Sequence, residues 1–142
     1  MNPDYIPYNP EVLREKLTNV FNKYSNISLV YLFGSSVSGN VGPMSDLDIA
    51  VLYEENEKLS ILNLCELGNK IADILGDENI QVVPLNEQSL SFSFNVINTG
   101  ICIYGSEEKR VRFETSILNQ YLDFKFFADQ YNRMFKNQYS GK

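Results

Sequence analysis

The chain has 142 residues, 44% of them apolar, and carries a net charge of −6 with no histidine at all. That length and composition suit one domain with a real core, and the acidity excludes a protein that grips long nucleic acid through a basic surface. Lack of histidine removes imidazole triads and most zinc sites, so any chemistry must run on carboxylates, hydroxyls, amines and a hard metal ion.

In chain order, NPEVLREKLTNVFNKY (9–24) places Val12, Leu13, Leu17, Val20, Phe21 and Tyr24 near helical spacing, with Asn9 as N-cap and Pro10 in the first helical position. ISLVYLF (27–33) is a short apolar run, rich in β-branched and aromatic residues, and predicts a buried strand. Gly34 to Ser45 reads as a loop, with room for a short helical turn near Ser36, and DLDIAVLY (46–53) as the second strand. From Lys58 to Leu75 the apolar positions Leu59, Leu62, Leu67, Ile71 and Ile74 predict an amphipathic helix closed by Gly76. NIQVVPL (79–85) predicts a third strand whose Pro84 places its far end at an edge or bulge. A serine-rich helix over 86–98, a fourth strand ICIY after Gly100, and one long helix from Glu107 to about 136 complete the chain. The sum is an α/β (α+β) domain with a small mixed sheet flanked by helices.

Asp46 and Asp48 stand out because charged carboxylates are costly to desolvate, and alternate positions on a strand share one face. Two acids about 7 Å apart at the backbone can converge on one divalent ion, and Mg²⁺ favours such oxygen ligands shared with substrate phosphates. Just upstream, Gly34-Ser35 ends the first strand with small residues that let a phosphate chain approach backbone N–H groups and a hydroxyl. Each feature alone is weak, since an Asp-x-Asp arises by chance and a glycine-serine loop is usually only a loop. Their conjunction, Gly-Ser, ten residues, then Asp-x-Asp leading into an apolar strand, is far more specific. It matches what nucleotidyl transfer needs, a phosphate cradle beside a metal site.

FGSSVSGNVGPMSDLDIAVL resembles the signature of the nucleotidyltransferase superfamily that includes DNA polymerase beta, in particular its minimal bacterial branch, down to the Ser45 before the first acid. VVPLNEQ, GICIYGSEEKRVRFE and YLDFK look like later segments of the MntA-type antitoxins of that branch, so the likeness spans roughly residues 10 to 130. The resemblance implies a nucleotidyltransferase fold in a single domain over 1–142. It also implies catalytic and Mg²⁺-binding roles for Asp46 and Asp48, and nucleotide contacts from Gly34, Ser35 and Ser45. ATP would be the substrate, a HepT-like HEPN-family RNase toxin the partner, and a toxin tyrosine the acceptor of AMP. Two positions depart from the pattern. Ser38 stands where the family commonly has a basic residue, and Gln81 where it usually has a third carboxylate, with Glu78 and Glu87 flanking that strand as substitutes. Because an amide cannot serve as a general base, an antitoxin that acts by binding alone stays open beside the active enzyme, as does transfer to a small antibiotic-like acceptor.

The last helix is apolar nearly all round in its second half. Ile117, Tyr121 and Phe124 follow one helical face, suited to core packing, while Phe126, Phe127 and Phe135 exceed what a single face buries and suggest an interface with the toxin or with another copy. Lys58, Arg110 and Arg112 read chiefly as surface or helix-terminal charges, with a phosphate role as the alternative. Cys65 and Cys102 read as free thiols. No run of about 18 apolar residues predicts a membrane span, and the N-terminus lacks the basic start and apolar stretch of a signal peptide, so the cytoplasm is the expected location.

Overall fold

A computed structural model describes residues 9–34, 47–76 and 79–140, with side chains as far as 135. Its elements are α1 (Pro10–Asn22), β1 (Ile27–Phe33), β2 (Leu47–Tyr53), α2 (Ile61–Leu75), β3 (Ile80–Pro84), a 3-10 turn (Leu85–Glu87), α3 (Leu90–Thr99), β4 (Ile101–Tyr104) and α4 (Glu107–Ser140). The four strands form one mixed sheet in the order β3-β2-β1-β4. β1 runs antiparallel to both β2 and β4, and β2 runs parallel to β3.

Both faces of the sheet are covered, which is why β1 is buried almost throughout. On one face Val30, Leu32, Leu47, Ile49 and Val51 pack against Leu13, Leu17 and Phe21 of α1 and Leu67 and Ile71 of α2. On the other, Leu29, Tyr31 and Ala50 meet Leu85, Val96 and the partly buried Phe33, Phe92 and Phe113, so α3 and the start of α4 lie on this side. Alternation along each strand sorts the two sets.

Local signals explain most boundaries. Asn9 caps α1 by accepting from the Glu11 N–H at 2.9 Å, with Pro10 next in line. Gly76 ends α2 in the left-handed region at φ +67°. Pro84 closes β3, an edge strand, as its missing N–H requires.

Five expectations need correction. The middle helix begins at Ile61, because Ser60 caps it by accepting from the Asn63 N–H. Leu59 is buried ahead of that cap, whereas Leu62 is 81% exposed and faces water rather than the core. The segment after β3 is a 3-10 turn followed by a helix that starts at Leu90, where Ser89 caps it. The last helix continues to Ser140, and its Phe124 is exposed instead of packed in the core. No helix among the described residues is long and apolar enough to cross a membrane.

Candidate active site

Of the five site residues read from the sequence, Gly34 and Asp48 fall in the described part; Ser35, Ser45 and Asp46 lie outside it, as do Ser36, Ser38 and Glu78. β1 delivers Gly34 and the start of β2 delivers Asp48. Their strands are paired so that Phe33 stands opposite Asp48. Asp48 is half-buried between the fully buried Leu47 and Ile49, which point to the other face. Gly34 has φ +73°, and a Cβ at this position would run into the Asp48 carboxylate at Oδ2. The positive φ favours glycine here, and any Cβ would oblige the Asp48 carboxylate to move.

On the other side of Asp48 sits Gln81. The parallel register pairs the two directly, so both side chains leave the same face of the sheet in adjacent strands. This is the place anticipated for a third acid, and the residue there is an exposed amide. Phe33, Asp48 and Gln81 thus form a row across β1, β2 and β3, with Gly34 at its edge. The Phe33 ring is held by Phe92 at 5.4 Å in an edge-to-face contact, which ties α3 to this row.

Glu87 does not substitute for the missing acid. Its carboxylate accepts from the Tyr53 hydroxyl at 3.3 Å and pairs with Lys58 at 2.9 Å, at the other end of β2. Five residues of strand separate Tyr53 from Asp48, about 17 Å. Lys58, which holds the Glu87 carboxyl below its ordinary value, is thereby excluded from the Asp48 end. Arg110 and Arg112 make ion pairs along α4, with Glu107 and Glu114 and with Glu108 respectively, as the surface-charge reading expected.

Buried Tyr31 lies mid-strand on the same face as Asp48 and donates to Glu114 at 3.1 Å. Burial pushes its phenol up from the ordinary value, with Cys102 and the Glu114 carboxylate beside it adding to the shift. Cys102 is half-buried and free, and burial likewise raises its thiol. Neither has the depressed value of a nucleophile. Sequence reasoning missed Arg14, whose Nη2 donates to the Cys102 carbonyl at 2.9 Å and shields the β4 edge. With Arg110 it borders a cleft of about 580 Å³ on the sheet edge opposite β3. Nothing in the local sequence marks Arg14, because its role depends on how α1 packs beside β4. Among the described residues no three histidine, cysteine or acidic side chains gather as metal ligands.

Comparison with known proteins starts from this geometry. The family model described as "Polymerase beta, Nucleotidyltransferase" matches residues 15–109, which include Gly34, Asp48 and Gln81. The chain belongs to the polymerase beta nucleotidyltransferase family. Within it, the protein adenylyltransferase MntA of Aphanizomenon flos-aquae (strain 2012/KM1/D3) is 34% identical over 108 residues, 71% of either chain. A crystal structure of a toxin-antitoxin with AMP-PNP shares the fold at a TM-score of 0.69 and 24% identity, covering 89% of this chain and 97% of its own. So does the complex of a tri-AMPylated Shewanella oneidensis HEPN toxin with its MNT antitoxin, at 0.65 and 21%, covering 88% and 97%. The nucleotidyltransferase resemblance carried by residues 32–53 and the fold class inferred from the strand order both agree with these matches.

Proposed function

We propose that this nucleotidyltransferase is a protein adenylyltransferase that silences a HEPN-family toxin by transferring AMP from ATP to one of its tyrosines. The observation that carries the reading is the fit of the Asp48 carboxylate into the space left by Gly34. It brings Gly34, which follows β1, and Asp48 of β2 together at one end of the sheet. MntA of Aphanizomenon flos-aquae, named for this activity, supports it.

In the proposed reaction the tyrosine oxygen bonds to the α-phosphorus of ATP, the bond to the bridging oxygen breaks, and pyrophosphate leaves. Gly34 and Ser35 would receive the phosphates, since glycine lets the backbone approach and a serine hydroxyl can donate. Oxygen donors on Asp46 and Asp48 suit Mg²⁺, and an ion held by them would neutralise charge that develops on the phosphates. The phenol proton must pass to a carboxylate or to water, because the Gln81 amide cannot take it.

A second reading, neutralisation by binding alone, is favoured by one observation: Gln81 lies next to Asp48 where a third acid would serve. The two readings separate on intact mass. Toxin co-expressed with the wild-type chain should gain the mass of one or more AMP units, and Asp48→Asn or Asp46→Asn should abolish the gain while the chain stays folded. Toxin neutralised without added mass would overturn the enzymatic reading.

A further inference from the structure

We propose, on the basis of the function above, that the second half of α4 is the docking arm for the acceptor protein. Most large apolar side chains exposed among the described residues lie on this helix, and Leu122, Phe124, Phe127, Tyr131, Met134 and Phe135 are between 37% and 69% exposed. Phe124, Phe127, Tyr131 and Met134 follow a 3-4-3 spacing, the seam by which one helix seats another. The same seam begins inside the domain. Ile117, one heptad before Phe124, is half-buried. Around it Phe113 packs on Tyr31 at 6.4 Å and Tyr121 stacks on Phe94 at 3.8 Å and 6°. α3 and β1 cover the first turns of the stripe, and the later turns run past the domain uncovered.

The size of the stripe fits a protein partner. Five of these side chains, Phe124, Phe127, Tyr131, Met134 and Phe135, lie on one side of the helix; at roughly 150–250 Å² each and a little over half exposed, they offer on the order of 550 Å², most of the ~800 Å² that one side of a specific interface contributes. Its position favours the acceptor over a second copy. α4 packs on the face of the sheet that carries Asp48, Gln81 and Phe33, whereas α1 and α2 occupy the other face. A protein seated on α4 is therefore on the reacting side. The chemistry needs such a seat. An acceptor tyrosine offers the site only one phenol, so the energy that holds and orients it must come from contacts remote from the reacting atoms. The occupant is a helical surface with an apolar face three to four turns long.

The test uses the full chain and the HEPN toxin co-expressed with it. Phe127→Glu combined with Tyr131→Glu puts charges on exposed positions, and thermal melting checks the fold. Calorimetric titration should show toxin binding weakened at least about 100-fold, with ATP binding by the free chain unchanged and the KM for toxin raised more than kcat is lowered. Should the double variant fail to fold, Met134→Lys alone should weaken binding in the same direction. Toxin affinity equal to the wild type overturns the proposal. So does a wild-type dimer that the double variant splits while toxin affinity holds, since the stripe then belongs to a second copy. If the wild-type chain binds toxin but transfers no AMP, the enzymatic reading fails and the affinity comparison still decides the docking arm.

Discussion

The two ends of β2 treat polar groups in opposite ways. At its last residue, Tyr53, the backbone N–H donates to Asn86 Oδ1 and the carbonyl accepts from Asn86 Nδ2, both at 2.9 Å. The Tyr53 hydroxyl, Glu87 and Lys58 close a second network alongside. Pro84 is the last residue of β3 in register with β2, so the Asn86 side chain extends a ladder that backbone no longer continues. At the first turns of β2 the design is subtractive. Gly34 gives up its Cβ, the Asp48 carboxylate occupies the space, and the exposed Gln81 stands beside it in register on the neighbouring strand. One end ties neighbouring strands together through side chains; the other sets a glycine against a carboxylate. Under the proposed function, stability and chemistry are divided along a single strand.

The sharpest way to break this division is Gly34→Ala. A Cβ there meets the Asp48 carboxylate, and the positive φ costs an alanine roughly 1–2 kcal/mol. Displacement of a reacting group by even an ångström can cost about 100-fold in rate. AMP transfer should fall by at least that factor, measured on the folded fraction, with only a modest drop in Tm. A variant that unfolds outright, or one that keeps its rate, would mean that the contact between Gly34 and Asp48 serves the fold alone.

Asn86→Ala should do the reverse. Losing two hydrogen bonds to partly buried backbone groups costs about 2 kcal/mol, visible as a lower denaturation midpoint, while AMP transfer per folded molecule stays within about twofold. Asn86 also shows where sequence reading stopped. Within residues 86–98 its amide looks like a helix start, yet it turns back to Tyr53, 33 positions away, and leaves the capping to Ser89. The cap at Asn9, the αL glycine at 76 and the edge proline at 84 were legible because each acts on its own neighbours. So was the approach of Gly34 to Asp48, since the residue types and their spacing carry it. Leu59 misled for the opposite reason: tertiary burial continues the apolar period past the helix cap, while Leu62, in phase with that period, faces water. Long-range partners such as Asn86 with Tyr53 and Arg14 with Cys102 leave no trace in a local pattern.

The smallest effect should appear in acid, again at the Tyr53 end. The hydrogen bond from Lys58 is the chief reason that the Glu87 carboxyl sits below its ordinary 4.5; desolvation opposes the shift, and the Tyr53 hydroxyl assists it. A depressed value in the folded chain means that ionised Glu87 favours folding. That contribution is present above 4.5 and is lost as the pH falls through the lower folded value. Both partners face water, so the gain is slight. Glu87→Gln should lower Tm a little near neutrality, and the gap from the wild type should close well below pH 4.5. A gap that persists in acid would make the Glu87 side chain a packing element rather than a charge. The rate of AMP transfer should not respond at all near neutrality, because Glu87 and Asp48 stand at opposite ends of the strand. If neutralising Glu87 slows transfer, the division of labour along β2 is wrong, and the network around Tyr53 must help to set the position of the acid at its far end.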